Sequence, residues 1–164
     1  VSHLKALSTA LSKIGKFKAL VSGCNDKLKN ELQELEEPID LSNIELQNFV
    51  PQLEVLSKTD VFLSHCGMNS VTEAIFKGVP IIGVPAHEEQ SFNANTAKDA
   101  GMAIVLDKDN LTSSAIEEAL STIQSGNYHS KAKELSKQMN EANQWPNVIQ
   151  TIFNFVNNKI TKDQ

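Results

Sequence analysis

The stretch HCGMNS at residues 65–70 sits between an apolar run, DVFLS, and a helix-like segment, TEAIFKG, that closes on a glycine. A histidine, a glycine and small polar residues at a strand-to-helix turn are suited to holding an anion. The helix N-terminus offers unpaired N–H groups and a positive dipole end, and in open parallel sheets ligands gather at the carboxyl ends of the strands. Gly67 lets backbone approach closely, and Asn69 or Ser70 can cap the helix. Capping alone accounts for most of these residue types, but it leaves His65 unexplained. Glu73 follows Asn69 by one helical turn and can face the same crevice, where a carboxylate accepts hydrogen bonds from a pair of sugar hydroxyls. Exposed helical glutamates are also common without any ligand. At the next strand-to-helix junction, GVPAHEEQ places Glu89 and Gln90 on the same rim.

Positioning these groups requires a sheet whose strands run in parallel. FKALVSG (17–23), IELQNF (44–49), DVFLS (60–64), PIIGV (80–84) and MAIVL (102–106) read as short apolar strands. Between them lie a first helix with Leu4, Leu7, Leu11 and Ile14 at helical spacing, a charged segment ending at Pro38, and the short helix PQLEVLSK with proline in its first turn. Helices over 69–77 and 89–100 follow. Strands alternating with helices, and almost continuously apolar, predict an α/β fold: a doubly wound parallel sheet with helices on both faces. From Thr112 onward the pattern is helical, and Val148, Ile149, Ile152, Phe153, Val156 and Ile160 form a stripe that packs on this sheet or on another domain.

Composition narrows the partners. Residues 1–164 are the size of one domain. Fifteen basic against twenty acidic residues, a net charge of −5 and no basic cluster argue against nucleic acid. Cys24 and Cys66 lie far apart, outside any metal-ligand or redox spacing, and read as small core residues in a reducing compartment. No stretch is apolar for long enough to span a bilayer and no signal sequence opens the chain, so a cytoplasmic location is expected. The absence of an initiator methionine before Val1 points to a piece of something longer. Asp107-Lys108-Asp109 has the DxD form of a manganese site, but polar loops produce it often by chance; HEEQS lacks the second histidine of a zinc motif; Asn110-Leu111-Thr112 is a sequon without a secretory signal. Ser64 and His65, adjacent on a strand, point to opposite faces and form no triad.

Taken in order, FVPQLEVL, SHCGMNSVTEA, GVP and EEQSFNA resemble the donor-binding signature of the UDP-dependent glycosyltransferases with the GT-B fold. That group includes plant secondary-product enzymes, animal glucuronosyltransferases and bacterial macrolide glycosyltransferases. The signature runs from Phe49 to Gln90, a quarter of the chain. The resemblance implies that Phe49 stacks on uracil, that the backbone at Val50 pairs with the base edge, and that Gln52 lies near the ribose. It implies that His65, with Gly67, Asn69 and Ser70, contacts the diphosphate, that Glu73 holds the ribose hydroxyls, and that Glu89 and Gln90 bind the transferred sugar. Phe49 stands where the family usually has tryptophan, Met68 replaces the tryptophan of the plant signature, and Glu89 stands where many glucosyl enzymes have aspartate.

The resemblance further implies a donor domain of an inverting enzyme that needs neither divalent ion nor cofactor, with UDP-glucose or a related UDP-sugar as donor. Amides, a histidine and a helix dipole would stabilise charge on the departing diphosphate. The acceptor pocket and the deprotonating histidine would belong to an N-terminal domain preceding Val1, without which this chain would bind UDP weakly and transfer nothing. Two alternatives remain open: the donor-binding subunit of a two-chain UDP-N-acetylglucosamine transferase, and a nucleotide-sugar-binding module without catalysis. A sugar-nucleotide epimerase of similar fold fits the glutamate-glutamine pair less well.

Overall fold

Alternation along the strands sets the layers. A computed structural model describes residues 1–142; the stripe from Val148 to Ile160 lies outside the described residues. The elements in chain order are α1 (Ser2–Ile14), β1 (Ala19–Ser22), α2 (Asp26–Gln33), β2 (Ile44–Gln47), α3 (Gln52–Leu56), β3 (Phe62–Ser64), α4 (Met68–Lys77), β4 (Ile81–Gly83), α5 (Glu88–Asp99), β5 (Ala103–Val105), a 3-10 turn (Lys108–Asn110), α6 (Ser113–Ser125) and α7 (Tyr128–Glu141). All pairings are parallel: β1 lies beside β2, and β4 lies between β3 and β5 with Ile81 opposite both Phe62 and Ala103. The five strands therefore form two parallel sheets, each shorter at its ends than the apolar runs suggested.

Successive side chains of a strand point to opposite faces, and here both faces are covered. Ile81 enters a core with Ala103, Phe62 and Val105, built against Val71 and Ala74 of α4, Ala94 and Ala97 of α5, and Ala132 of α7. Ile82 points the other way, into a core with Val61, Ile104 and Leu106, closed by Ala10 and Leu11 of α1 and by Ile116, Ala119, Leu120 and Ile123 of α6. Ala19 of β1 and Ile44 of β2 border this second core, so the two sheets share one apolar layer. This is the doubly wound α/β arrangement expected from the alternation.

Each strand-to-helix link has a local cause. Asn25 caps α2, its side chain accepting from Leu28 N–H at 3.0 Å. The helix buries none of its residues, consistent with its charged sequence. Pro51 is the N-cap residue of α3 rather than a member of its first turn. Gly78 ends α4 at φ 68, a conformation that favours glycine, and the turn is closed by Val79 N–H donating to the Ala74 carbonyl at 3.0 Å. A side chain at Gly78 would also meet α7, whose Ser136 Cβ lies 3.3 Å from the position of a Cβ there.

Candidate functional site

The chain leaves β3 at Ser64 and enters α4 at Met68 through His65, Cys66 and Gly67. Cys66 adopts φ 62, and no other non-glycine described residue has positive φ. Left-handed backbone costs an ordinary side chain roughly 1 kcal/mol or more, so neighbouring groups must hold it. Ser64 Oγ accepts from Cys66 N–H at 3.1 Å, and the Cys66 thiol leans on the Ser64 carbonyl at 3.7 Å. Below, Gly83 of β4 makes room: a Cβ there would lie 2.8 Å from Cys66 Sγ and 3.3 Å from Ala94 Cβ. Burial pushes the Cys66 thiol up to about 11, so it stays protonated and is a packing group. Cys24 is likewise buried and free.

This turn aims His65 along the end of the sheet. Val84 N–H donates to the Ser64 carbonyl at 2.8 Å, extending the β3–β4 ladder, and the Val84 carbonyl meets His65 Nδ1 at 2.9 Å. A carbonyl can only accept, so Nδ1 carries a proton and Nε2 is the nitrogen left for a ligand. At the start of α4 the sequence expectation needs correction. Gly67 is the N-cap residue, and neither Asn69 nor Ser70 caps the helix; both lie in its first turn, Asn69 exposed and Ser70 half-buried. The first turn of α4 also carries no acidic residue. Helix capping therefore does not account for this turn, and the helix end is available to an anion.

Two further groups stand beside the turn. Gln52, at the start of α3, donates from Nε2 to Glu73 Oε2 at 2.7 Å, joining α3 to α4 and leaving Oε1 of Glu73 to accept from a ligand. At the carboxyl end of β4, Gln90 accepts from Ala86 N–H at 2.8 Å, which turns its NH2 group away from the loop backbone. Glu89 Oε1 accepts from Asn93 Nδ2 at 2.8 Å, and the same nitrogen donates to the Cys66 carbonyl at 3.1 Å. Asn93, unlike the residues on either side of the rim, was not singled out by sequence; its spacing of four from Glu89 on a helix is the signal that points to it.

Phe49 follows β2 in a loop and is 82% exposed, while Val50 beside it is buried. The structure thus joins Gln52 to Glu73, and the His65 turn to Glu89, whereas Phe49 stands apart with an uncovered ring. An open cleft of about 1050 Å3 lies beyond Glu89, lined also by His87, Glu88, Asp107 and Lys108. His65 and Glu73 are not among its walls, so the cleft marks the Glu89 end of the rim. Asp107, the first residue of the DxD pattern, is used locally: its carboxylate accepts from Asp109 N–H at 2.9 Å and Asn110 Nδ2 at 2.7 Å, and these bonds hold it below the usual carboxylate range. Lys108 meanwhile pairs with Asp109 at 2.8 Å.

Comparison with known proteins places the chain in a family and a fold. Residues 7–144 match the family described as UDP-glucoronosyl and UDP-glucosyl transferase. The chain is 39% identical over 102 residues to the NDP-glycosyltransferase YjiC of Bacillus subtilis, covering 62% of this chain and 26% of that protein. Among solved structures, a glycotransferase of kitacinnamycin superposes with a TM-score of 0.73 at 24% identity, over 86% of this chain and 35% of the other. The O. sativa protein Os79, solved in complex with UDP and deoxynivalenol-3-glucoside, gives a TM-score of 0.64 at 29% identity, over 83% of this chain and 33% of the other. The chain thus spans about a quarter to a third of the length of these relatives.

Proposed function

Because the chain belongs to the UDP-glucoronosyl and UDP-glucosyl transferase family, we propose that it binds the donor in an inverting, metal-independent glycosyltransferase that moves a hexose from a UDP-sugar to a small-molecule acceptor. The observation that carries this reading is the grouping of hydrogen-bonded polar side chains along the carboxyl ends of β3 and β4. There an uncapped helix end and a histidine with one free nitrogen suit the diphosphate, the Gln52-bound Glu73 suits the ribose on one side, and the Asn93-bound Glu89 suits the sugar on the other. The complex of the O. sativa protein Os79 with UDP supports the same donor class.

Each part has a physical role in this reading. The exposed ring of Phe49 offers a face on which uracil stacks, smaller than an indole but of the same kind. Glu73, with Oε2 held by Gln52, accepts from the ribose hydroxyls through Oε1. The first-turn N–H groups of α4 and His65 meet the diphosphate, where negative charge grows as the glycosidic bond to phosphate breaks. His65 already donates from Nδ1 to Val84, so it can donate to a phosphate oxygen from Nε2 only as the imidazolium. Glu89 and Gln90 take the hydroxyls of the transferred sugar. The acceptor and the base that deprotonates it lie on a preceding domain, so this chain alone binds donor without transferring it.

Titration calorimetry of the full chain with UDP tests the reading. Loss of one hydrogen bond to a charged group, worth about 1.5–3 kcal/mol, weakens binding on the order of ten- to a hundredfold in His65→Ala and Glu73→Ala. No heat with UDP, together with no loss of affinity in either variant, would refute it.

A further inference from the structure

Ser8 and Asn93 are the two buried polar residues among those described, each 5% exposed. Ser8 ties α1 to the Asp40 carbonyl, at 2.6 Å, within the scaffold. Asn93 ties together two parts of the rim that belong to different strand-to-helix links, donating to the Cys66 carbonyl at 3.1 Å and to Glu89 Oε1 at 2.8 Å. We propose that Asn93 is a positioning residue that sets the register between the diphosphate seat and the sugar-binding carboxylate; the proposal rests on the donor-site reading above.

The planarity of the two amides involved fixes the geometry. The N–H bonds of a carboxamide lie about 120° apart, so at these lengths the Cys66 carbonyl and the Glu89 carboxylate are held about 5 Å from each other. The C=O and N–H of a trans peptide point in opposite directions. Pinning the Cys66 carbonyl to Asn93 on α5 therefore turns the Gly67 N–H away from α5, at the open end of α4. At its other arm the bond fixes one oxygen of Glu89, an exposed side chain with many rotamers, and leaves Oε2 to accept from a sugar hydroxyl. One buried side chain thereby aims a donor at the diphosphate and an acceptor at the sugar.

Calorimetry with UDP and with UDP-glucose on the full chain separates this from a role in folding alone. Wild type binding UDP-glucose more tightly than UDP upholds the donor site; wild type binding neither overturns the donor site and this proposal together. Asn93→Leu removes both donors at similar size, with circular dichroism confirming the fold. Affinity for UDP falls, and that for UDP-glucose falls further, so that the preference for the sugar nucleotide drops roughly fivefold, the value of ordering one long side chain. In a Glu89→Ala background the same substitution leaves the remaining preference unchanged. An equal loss for both ligands, full additivity with Glu89→Ala, or no loss overturns the proposal. Should Asn93→Leu fail to fold, the side-chain amide signals of Asn93 in 15N-labelled wild type decide: they shift more on adding UDP-glucose than on adding UDP, and equal or absent shifts overturn it.

Discussion

The two strand-to-helix links at β3–α4 and β4–α5 are neighbours on one sheet edge, yet their electrostatics are opposite. At α4 the N-cap is a glycine, no side chain caps the helix and the first turn holds no acid. At α5 the N-cap is His87 in extended conformation, and Glu88 and Glu89 occupy the first turn. The positive end of α4 is thus offered outward, whereas that of α5 is answered by its own carboxylates. A dianionic ligand segment is drawn to the first and repelled from the second; a neutral, hydroxyl-rich segment suits the second. In the proposed donor site, two helix termini of unequal charge would orient the nucleotide-sugar end to end, with Asn93 bonded between them.

The largest blow to this contrast comes from β4, beneath both links. Gly83→Ala drives a methyl into Cys66 Sγ and Ala94 Cβ. Overpacking of this kind costs about 1–3 kcal/mol, read in urea unfolding, and weakens UDP binding in parallel because the Cys66 turn must shift. An unchanged midpoint would mean that the turn is not braced by β4. Next in size, Asn69→Asp gives α4 the acid that α5 already has. Helix stability rises by about 0.3–1 kcal/mol, while UDP affinity falls on the order of tenfold; the opposite signs are the check, and both effects shrink as salt is raised.

Glu89→Gln sharpens the other side. UDP affinity stays level or improves slightly as a carboxylate leaves the rim, and affinity for UDP-glucose falls about fivefold, the worth of roughly 1 kcal/mol in one hydrogen bond. Smallest is a linkage effect from Cys66. Its thiol is raised from 9.0 to about 11 in the folded chain, so folding holds its proton more tightly than the unfolded state does. The stability this contributes is complete below pH 9 and is lost as pH climbs from 9 to 11. Alkaline unfolding followed by tryptophan-independent circular dichroism should be less steep in Cys66→Ala, and at pH 8 both cysteines should resist a thiol reagent until the chain unfolds.

Much of the scaffold was legible because strand and helix have different periods. Ile81 and Ile82 read as one apolar run and do point into two separate cores. Gly78 read as a helix stop and is one. Strand ends were read too long: Val84 and Leu106 are apolar for packing and their N–H groups still donate to the Ser64 and Gly83 carbonyls, but the paired registers end one residue earlier, at Gly83 and Val105. The rim residues were legible as polar types at strand-to-helix junctions, and Gln52 proved bonded to Glu73 across 21 positions of sequence. Capping by Asn69 or Ser70 was the reading that failed. Side-chain type permits a cap, but cap geometry depends on where the helix starts, and α4 starts one residue earlier, at Met68.

By itself, the sequence determined the α/β class, the order of elements and the edge on which polar groups collect, because apolar periodicity and punctuation by glycine and proline are local signals. Only the tertiary structure decided that Cys66 takes a left-handed backbone over Gly83, that His65 spends its Nδ1 proton on Val84, and that Asn93 joins the two links. Each of these depends on atoms far apart in the chain brought within contact, and no local pattern encodes the distance between them.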